Sequence, residues 1–443
     1  MPIQNSNRTV GIYTLGCKVN QYESEAIAEQ FTALGYTVTS PTGVCDVYII
    51  NTCTVTAESD RKARQFIRRA ISKNPNACVI VTGCYAQVAP ETVASIEGVS
   101  AVFGNREKNA LSSFAQSYFS AKEQISVPFV SVPSLEDAPF ESMCITKFDR
   151  TRAYVKIEDG CESRCTYCII PDARGAIRSK PFADVISEVT ALTESGCPEV
   201  VLTGIETASY GKDLEGTSFS SLLQAVDAIP GIGRVRLGSL DPSLIKPKFV
   251  NEIRSLHSLA PHFHLSMQSG SSSVLRRMRR KYNREQALTA ISLLREAIPR
   301  VQFTTDIIVG FPGETEDEFM DTVSLIREGR FLMVHIFPYS KRKGTVAAEM
   351  EDQIPEEVKH TRLSYLSEIA RSIRNEILND AVASGKAESV LFETYKNGFA
   401  NGHTDHFLEV RVPSDRPLNG ELHTVSLTSV SDDILYGVLT PNA

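Results

Sequence analysis

Cys161, Cys165 and Cys168 stand as Cys-x-x-x-Cys-x-x-Cys in DGCESRCTYCIIPDARG, three thiols within eight residues. One loop can wrap a metal centre with them. Three is one short of the four ligands that close a structural zinc site or saturate a four-iron cluster. A cluster held this way keeps one iron open to a small molecule, and an open coordination position is where chemistry happens. The alternative, a zinc knuckle, lacks a local fourth ligand: the next cysteine is Cys197 and the next histidine is His257.

A second set is dispersed. Cys17 follows a strand-like run in TLGCKVNQYES, Cys53 follows another in IINTCTVTAES, and Cys84 a third in VTGCYAQ. Ligands of open parallel sheets bind just beyond the carboxyl ends of the strands, so these three can converge on one sheet edge. Gly16 and Gly83 beside two of them would let backbone approach a bulky inorganic group. The alternative is three buried thiols, a frequent fate for cysteine. Cys45, Cys78, Cys144 and Cys197 lack the strand-end pattern and read as structural.

The elements that must position these residues are read from hydrophobic period. Residues 9–105 alternate strand and helix, which implies a parallel sheet. Residues 119–146, with prolines and no sustained period, read as a linker. From Arg152 the alternation resumes with six strand–helix units, fewer than the eight of a closed barrel, so an open partial barrel is expected. A long polar helix comes next, then a tail whose short runs alternate apolar and polar around Gly, Asn and Asp. The predicted fold is α/β: a parallel-sheet N-terminal domain at 8–118, the linker, a partial (βα)6 barrel at 147–380 and a small antiparallel β barrel at 381–443.

The chain has 443 residues, enough for two or three domains. A formal net charge of -7 argues against a globally basic nucleic-acid coat but leaves room for a local basic path. No apolar run of membrane-spanning length is present, and no secretory leader pattern, so no membrane contact and a cytoplasmic location are expected. Ten cysteines in such a chain read as metal ligands or buried thiols rather than a disulfide frame.

The triad loop, with Tyr167 before its last cysteine, resembles the signature of radical S-adenosylmethionine enzymes. GCKVNQYES, LTGIETASYG, QSGSSSVLRRMRRKY, TDIIVGFPGETEDEF and HIFPYSKRKGT, in this order around it, are similar to the methylthiotransferases over nearly the whole chain. The tail resembles the RNA-binding TRAM domain. Lys18, Val19 and Asn20 after the first cysteine resemble the branch acting on N6-threonylcarbamoyladenosine beside the tRNA anticodon. Branches acting on isopentenyladenosine or on a ribosomal-protein aspartate usually differ there, and both remain as alternatives, with a non-catalytic metal-containing RNA-binding protein as a third. Asp172 departs from the family, which commonly has a basic residue at that position.

The resemblance implies two four-iron, four-sulfur clusters, one on Cys161, Cys165 and Cys168 and one on Cys17, Cys53 and Cys84, with S-adenosylmethionine as cofactor. It implies a 5′-deoxyadenosyl radical that takes hydrogen from carbon 2 of the adenine, and no obligatory acid–base side chain. Strand ends nominate Thr203, Gly204, Glu206, Ser239, Gln268 and Asp306 for S-adenosylmethionine, with Gly310, Pro312 and Gly313 passing its adenine. The implied partners are tRNA through its anticodon stem-loop, an electron donor such as flavodoxin or ferredoxin, and a sulfur source. RNA contact is expected from the tail, where Phe392, Tyr395, Phe399 and Phe407 lie near Lys396 and Arg411 and two of the four aromatics are expected to fill the barrel core instead, from Arg61, Lys62, Arg64, Arg68 and Arg69, and from Lys341, Arg342 and Lys343. The densest basic run, Arg276, Arg277, Arg279, Arg280 and Lys281, is expected to divide between solvent and ligand.

Overall fold

A computed structural model describes residues 8–120, 127–136, 139–148 and 151–440. Residues 121–126 and 137–138 of the expected linker, and the last three residues of the tail, lie outside the described residues. The chain forms two compact units. The first holds the described residues up to Ile145 together with Lys156–Lys180 and Ser340–Ala348. The second holds the described residues of 146–155, then Pro181–Tyr339 and the chain from Glu349. The triad loop is therefore part of the first unit, with the dispersed cysteines.

The first unit is built on six strands: β1 (Thr9–Thr14), β2 (Thr37–Thr39), β3 (Val47–Thr52), β4 (Cys78–Gly83), β5 (Ala101–Phe103) and β6 (Phe129–Ser131). They lie in the order β2-β1-β3-β4-β5-β6, every neighbouring pair parallel. Every residue of β3 and β4 is buried, which is why they read as continuous apolar runs: helices cover both faces of a parallel sheet. The helix Ala57–Lys73 packs Ala63, Ile67 and Ala70 against Tyr48, Ile50, Val79 and Val81. It starts where the Thr56 hydroxyl accepts from the Ser59 amide, with Glu58 and Asp60 in the first turn. β6 falls in the stretch read as a linker. It is an edge strand of three residues between prolines, and proline is tolerated there because an edge has unpaired positions.

The expected six strands are Ala153–Lys156, whose last residue belongs to the first unit, and, in the second unit, Glu199–Thr203, Arg234–Leu237, His262–Gln268, Gln302–Val309 and Met333–Pro338. They form two three-stranded sheets joined by parallel bridges Val235–Leu259 and Leu240–Leu265, an open arc rather than a closed barrel. The helix Glu356–Ala383 comes after them. The tail is a closed five-stranded barrel of Ala387–Lys396, Phe399–Thr404, Glu409–Pro413, Ile434–Leu439 and Leu422–Ser431, in that order around the barrel. Its pairs are antiparallel except Glu409–Pro413 with Ile434–Leu439. The strand Phe399–Thr404 escapes a propensity reading because Asn401 and Gly402 are poor strand formers; Gly402 is needed because a Cβ would lie 2.2 Å from the Leu391 carbonyl oxygen. Among the described residues no helix is long and apolar enough to cross a membrane.

Candidate functional site

β1, β3 and β4 are adjacent in the sheet, and each delivers one cysteine at its carboxyl end. Cys17 caps the helix Lys18–Ala33, Cys53 follows β3, and Cys84 opens the short helix Cys84–Val88. The three thiols are close enough to act on one another: burial pushes the Cys53 thiol up to about 11, and Cys84 and Cys17 add to the rise. Gly16 and Gly83 make room for neighbouring chain. A Cβ on Gly16 would meet the Cys53 Cβ at 2.8 Å, and one on Gly83, at φ +94°, would meet the Thr52 carbonyl oxygen at 2.4 Å. The close packing draws the strand ends together.

Asn20 ties the ends of β1 and β3. Its amide donates to the Leu15 and Thr52 carbonyls at 2.8 and 3.0 Å, and its Oδ1 accepts from Cys17 Sγ at 3.6 Å. The triad loop closes on itself: the Cys161 amide donates to the Gly175 carbonyl at 3.0 Å, and Cys168 Sγ accepts from the Ile170 amide at 3.4 Å. Cys165 is buried while Cys161 and Cys168 are partly exposed. A cleft of about 370 Å³ opens beside Cys161, lined also by Gln87, Leu135, Glu136, Arg164 and Asp172. Asp172 meets Arg164 at 3.8 Å on the exposed surface.

Two connections join the cysteine sets. Arg174, at the end of the helix Ile170–Arg174 and fully buried, donates from Nε to Cys84 Sγ at 3.3 Å and from Nη2 to Asn20 Oδ1 at 2.8 Å. Its Nη1 meets Glu23 at 2.7 Å and Asp159 at 3.0 Å. Burial opposes the charge, yet Asp159, Cys84 and Glu23 hold the guanidinium well above its ordinary value. Burial likewise opposes ionisation of Glu23, but Arg174, Lys108 and Lys156 hold that carboxyl well below its ordinary range. The second connection is the segment Ser340–Ala348. Arg342 bonds to the Asp60 carboxylate and the Thr54 hydroxyl, next to Cys53. The Ala347 amide donates to the Thr166 carbonyl at 2.7 Å, next to Cys165. Arg342 is thus engaged in holding the site rather than free for RNA, while Lys341 and Lys343 are exposed.

Both sets offer soft thiol donors in threes, with backbone and side-chain N–H groups directed at sulfur, a donor set suited to iron–sulfur clusters. Of the remaining cysteines, Cys45, Cys78 and Cys197 are buried and Cys144 is exposed. Burial pushes Cys78 up to about 12 and Cys197 up to about 11, as inert thiols require.

In the second unit, Thr203 ends its strand buried, Gly204 and Glu206 lie just beyond it, and Ser239 is exposed just past Leu237. Gln268 ends its strand at φ 61°, a left-handed conformation uncommon outside glycine. Asp306 lies within its strand, bonded to His264 at 3.2 Å, with His335 on the next strand close by. Gly310 donates its amide to Glu314 at 2.7 Å, Pro312 is buried, and Gly313 donates to the Asp352 carbonyl at 2.9 Å. The basic run is largely paired: Arg277 with Glu318 at 2.7 Å, Arg280 with Asp241 at 2.7 Å, Lys281 with Glu206 at 3.2 Å, while Arg276 and Arg279 are exposed.

The aromatic residues of the tail divide. Phe392 is fully buried in the barrel core. Phe407 stacks on His262 and His403 under Arg236. Neither is free for RNA. Phe399 packs edge-on against Tyr436 at 6.2 Å, and Arg411 sits 5.9 Å over the Tyr436 ring. Tyr436 is missed by the sequence reading; its alternation with Leu435 and Gly437, both buried, is the signal that places it outside. On the helix Ala57–Lys73, Arg61 pairs with Glu58 at 2.6 Å and Arg64 reaches the Tyr85 hydroxyl at 3.0 Å, whereas Arg68 and Arg69 are exposed.

Residues 9–104 match the uncharacterized protein family UPF0004, and residues 155–326 the radical SAM superfamily. The chain is 40% identical over 430 residues to the threonylcarbamoyladenosine tRNA methylthiotransferase MtaB of Bacillus subtilis, covering 95% of this chain and 93% of that one. It is 39% identical to the protein of the same name from Thermotoga maritima, covering 96% of each. It is 35% identical to the tRNA-2-methylthio-N(6)-dimethylallyladenosine synthase of Acetivibrio thermocellus, covering 96% of this chain and 89% of that one. Among solved structures, the radical S-adenosylmethionine methyltransferase TsrM from Kitasatospora setae shares the fold, with a TM-score of 0.57, 15% identity and 77% of each chain covered.

Proposed function

The chain belongs to the radical S-adenosylmethionine methylthiotransferase family, in the threonylcarbamoyladenosine tRNA branch, and on that premise we propose that it attaches a methylthio group to carbon 2 of N6-threonylcarbamoyladenosine next to the anticodon. It is an enzyme that works with S-adenosylmethionine and two four-iron, four-sulfur clusters. The observation that carries the reading is the meeting of two three-thiol sets in one compact unit. Cys161, Cys165 and Cys168 would hold one cluster and Cys17, Cys53 and Cys84 the other. When bound, the first supplies the electron that cleaves S-adenosylmethionine, and the second supplies the sulfur that is methylated and transferred.

The chain's own residues position and enclose. The ladder of β1, β3 and β4 and the Asn20 amide set the second thiol trio, and the closed loop Cys161–Gly175 sets the first. Thr203, Gly204, Glu206, Ser239, Gln268, Asp306, Gly310, Pro312 and Gly313 are the proposed contacts of S-adenosylmethionine. Thr203 and Gln268 each end a strand with a polar side chain, and Glu206 lies three residues beyond Thr203. The outer face of the tail barrel at Phe399, Tyr436 and Arg411, with Tyr395 and Lys396, is the proposed RNA platform, since stacking beside a cation holds flexible strands. Arg68, Arg69, Lys341 and Lys343 would contact phosphates. A cytoplasmic location, an electron donor such as flavodoxin or ferredoxin, and a sulfur source complete the proposal.

The deciding experiment is mass spectrometry of tRNA nucleosides from cells with and without the gene. Loss of 2-methylthio-N6-threonylcarbamoyladenosine alone supports the reading. Loss of the isopentenyladenosine derivative instead, or of neither, rejects it.

A further inference from the structure

One buried charge has no part in the chemistry described for either thiol set. Arg174 ends a single helical turn that begins two residues after Cys168, so it is built into the triad loop, yet its Nε bonds to the sulfur of Cys84 in the other set. Its remaining donors are all taken up. Nη1 serves Glu23 and Asp159, and Nη2 serves Asn20 at 2.8 Å and Glu23 at 3.2 Å. Burying a guanidinium costs several kcal/mol unless its partners repay it, so five satisfied contacts on a fully buried arginine mark a constructed position.

Glu23 and Asp159 are shared among Arg174, Lys108, Lys156 and Arg178. Glu141 also acts on Lys108, whose charge burial opposes. Of these basic groups, Arg174 is the one that donates to the sulfur of Cys84. An N–H bond to a ligating sulfur and a positive charge at short range both favour the reduced, more negative form of an iron–sulfur cluster. Arginine stays charged at any accessible pH, so its effect does not vary.

We propose that Arg174 is a positioning residue that orients Cys84 and, through Asn20, the turn at Cys17, and that it holds the cluster on Cys17, Cys53 and Cys84 at a raised reduction potential. The proposal rests on the reading that these three cysteines ligate a cluster. It also makes the triad loop the source of the residue that tunes the other site.

The test uses the full chain with Cys161, Cys165 and Cys168 replaced by alanine, reconstituted with iron and sulfide, so that only one cluster can be present. The midpoint of that cluster is read by titration with dithionite, monitored by electron paramagnetic resonance. Arg174→Gln, which is neutral but can still donate, shifts the midpoint to more negative potential while iron stays at about four per chain. Arg174→Lys, which keeps the charge but not the planar fork, shifts it less. An unchanged midpoint in Arg174→Gln overturns the proposal. If Arg174→Gln does not hold its cluster, Arg174→Lys decides, and a midpoint and spectrum equal to the parent's overturn it. If the parent itself takes up no iron, the reading of Cys17, Cys53 and Cys84 fails instead.

Discussion

Phe407 stacks on His262 with ring centroids 4.5 Å apart and planes 21° from parallel. His403 stacks on the phenyl ring too, at 4.8 Å, and the Arg236 guanidinium lies 4.9 Å from the ring centre. Phe407 adopts φ 69°, a conformation that costs a side chain of this size about 1–2 kcal/mol. The surrounding stack holds it there, and with it the loop of the tail barrel against the first residues of the parallel strands. Replacing Phe407 with alanine should lower stability by about 3 kcal/mol, read as a fall in the denaturant midpoint. The tRNA affinity of the folded protein should stay the same. Phe399→Ala and Arg411→Ala should do the reverse, weakening tRNA binding by roughly 10-fold or more with little change in the midpoint.

The two cysteine sets should separate in their effects. Cys165→Ala is expected to abolish reductive cleavage of S-adenosylmethionine, measured as 5′-deoxyadenosine. Cys53→Ala should leave measurable cleavage and remove methylthiolation of tRNA. Methylthiolated tRNA from the Cys53→Ala protein would refute the assignment of the second set.

Glu199 gives a prediction in pH. It is buried, and although burial would raise its pKa, Arg236, Arg152 and Arg234 bring it down to about 2. An unfolded glutamate titrates near 4.3. A carboxyl with a depressed folded value contributes stability that is complete above the unfolded value and is lost as pH falls toward the folded one. The window is therefore between about pH 4.5 and 2, and the amount is on the order of 3 kcal/mol. Glu199→Gln should flatten the acid limb of a stability–pH curve in this window. At neutral pH it should destabilise the protein strongly, because three arginines lose their shared counter-charge. An acid limb identical to that of the parent would show that Glu199 is not the group responsible.

Gly83→Ala tests the packing of strand ends. The added methyl would meet Thr52 backbone at 2.4 and 2.5 Å, at a φ of +94°. Displacing Cys84 from β3 should cost one cluster, so iron after reconstitution should fall from about eight to about four per chain. Retention of eight would mean that the strand ends yield more easily than their contacts indicate.

Much of this site is legible in the residues alone. The apolar runs of β1, β3 and β4 have the length and composition of buried parallel strands, and the topology of such sheets puts the residues just beyond their carboxyl ends on one edge. Cys17, Cys53 and Cys84 can be grouped on that basis alone. Arg174, Glu23 and Asp159 cannot, because ion pairs between residues 15 to 151 positions apart leave no period in the sequence. Arg342 reads as one more exposed basic residue for the same reason: its acidic partner, Asp60, is 282 positions away. Phe407 shows the limit of composition. An aromatic residue in a small β unit suits an RNA surface or a packing plug equally well, and only the three-dimensional neighbourhood of His262 and His403 distinguishes them.

The adjacency of β1, β3 and β4 has a consequence for how this site can vary. Neighbouring strands are spaced about 4.8 Å apart by their backbone hydrogen bonds, so the footprint of the dispersed thiols is a property of the ladder and of the glycines that let it close. The helices between the strands do not set it. Those helices and their connecting turns can lengthen, shorten or change sequence while three sulfurs stay in place. The triad loop has no such freedom, since its ligands are set by consecutive residues and any insertion moves one of them. One centre tolerates change in the chain between its ligands, and the other tolerates none.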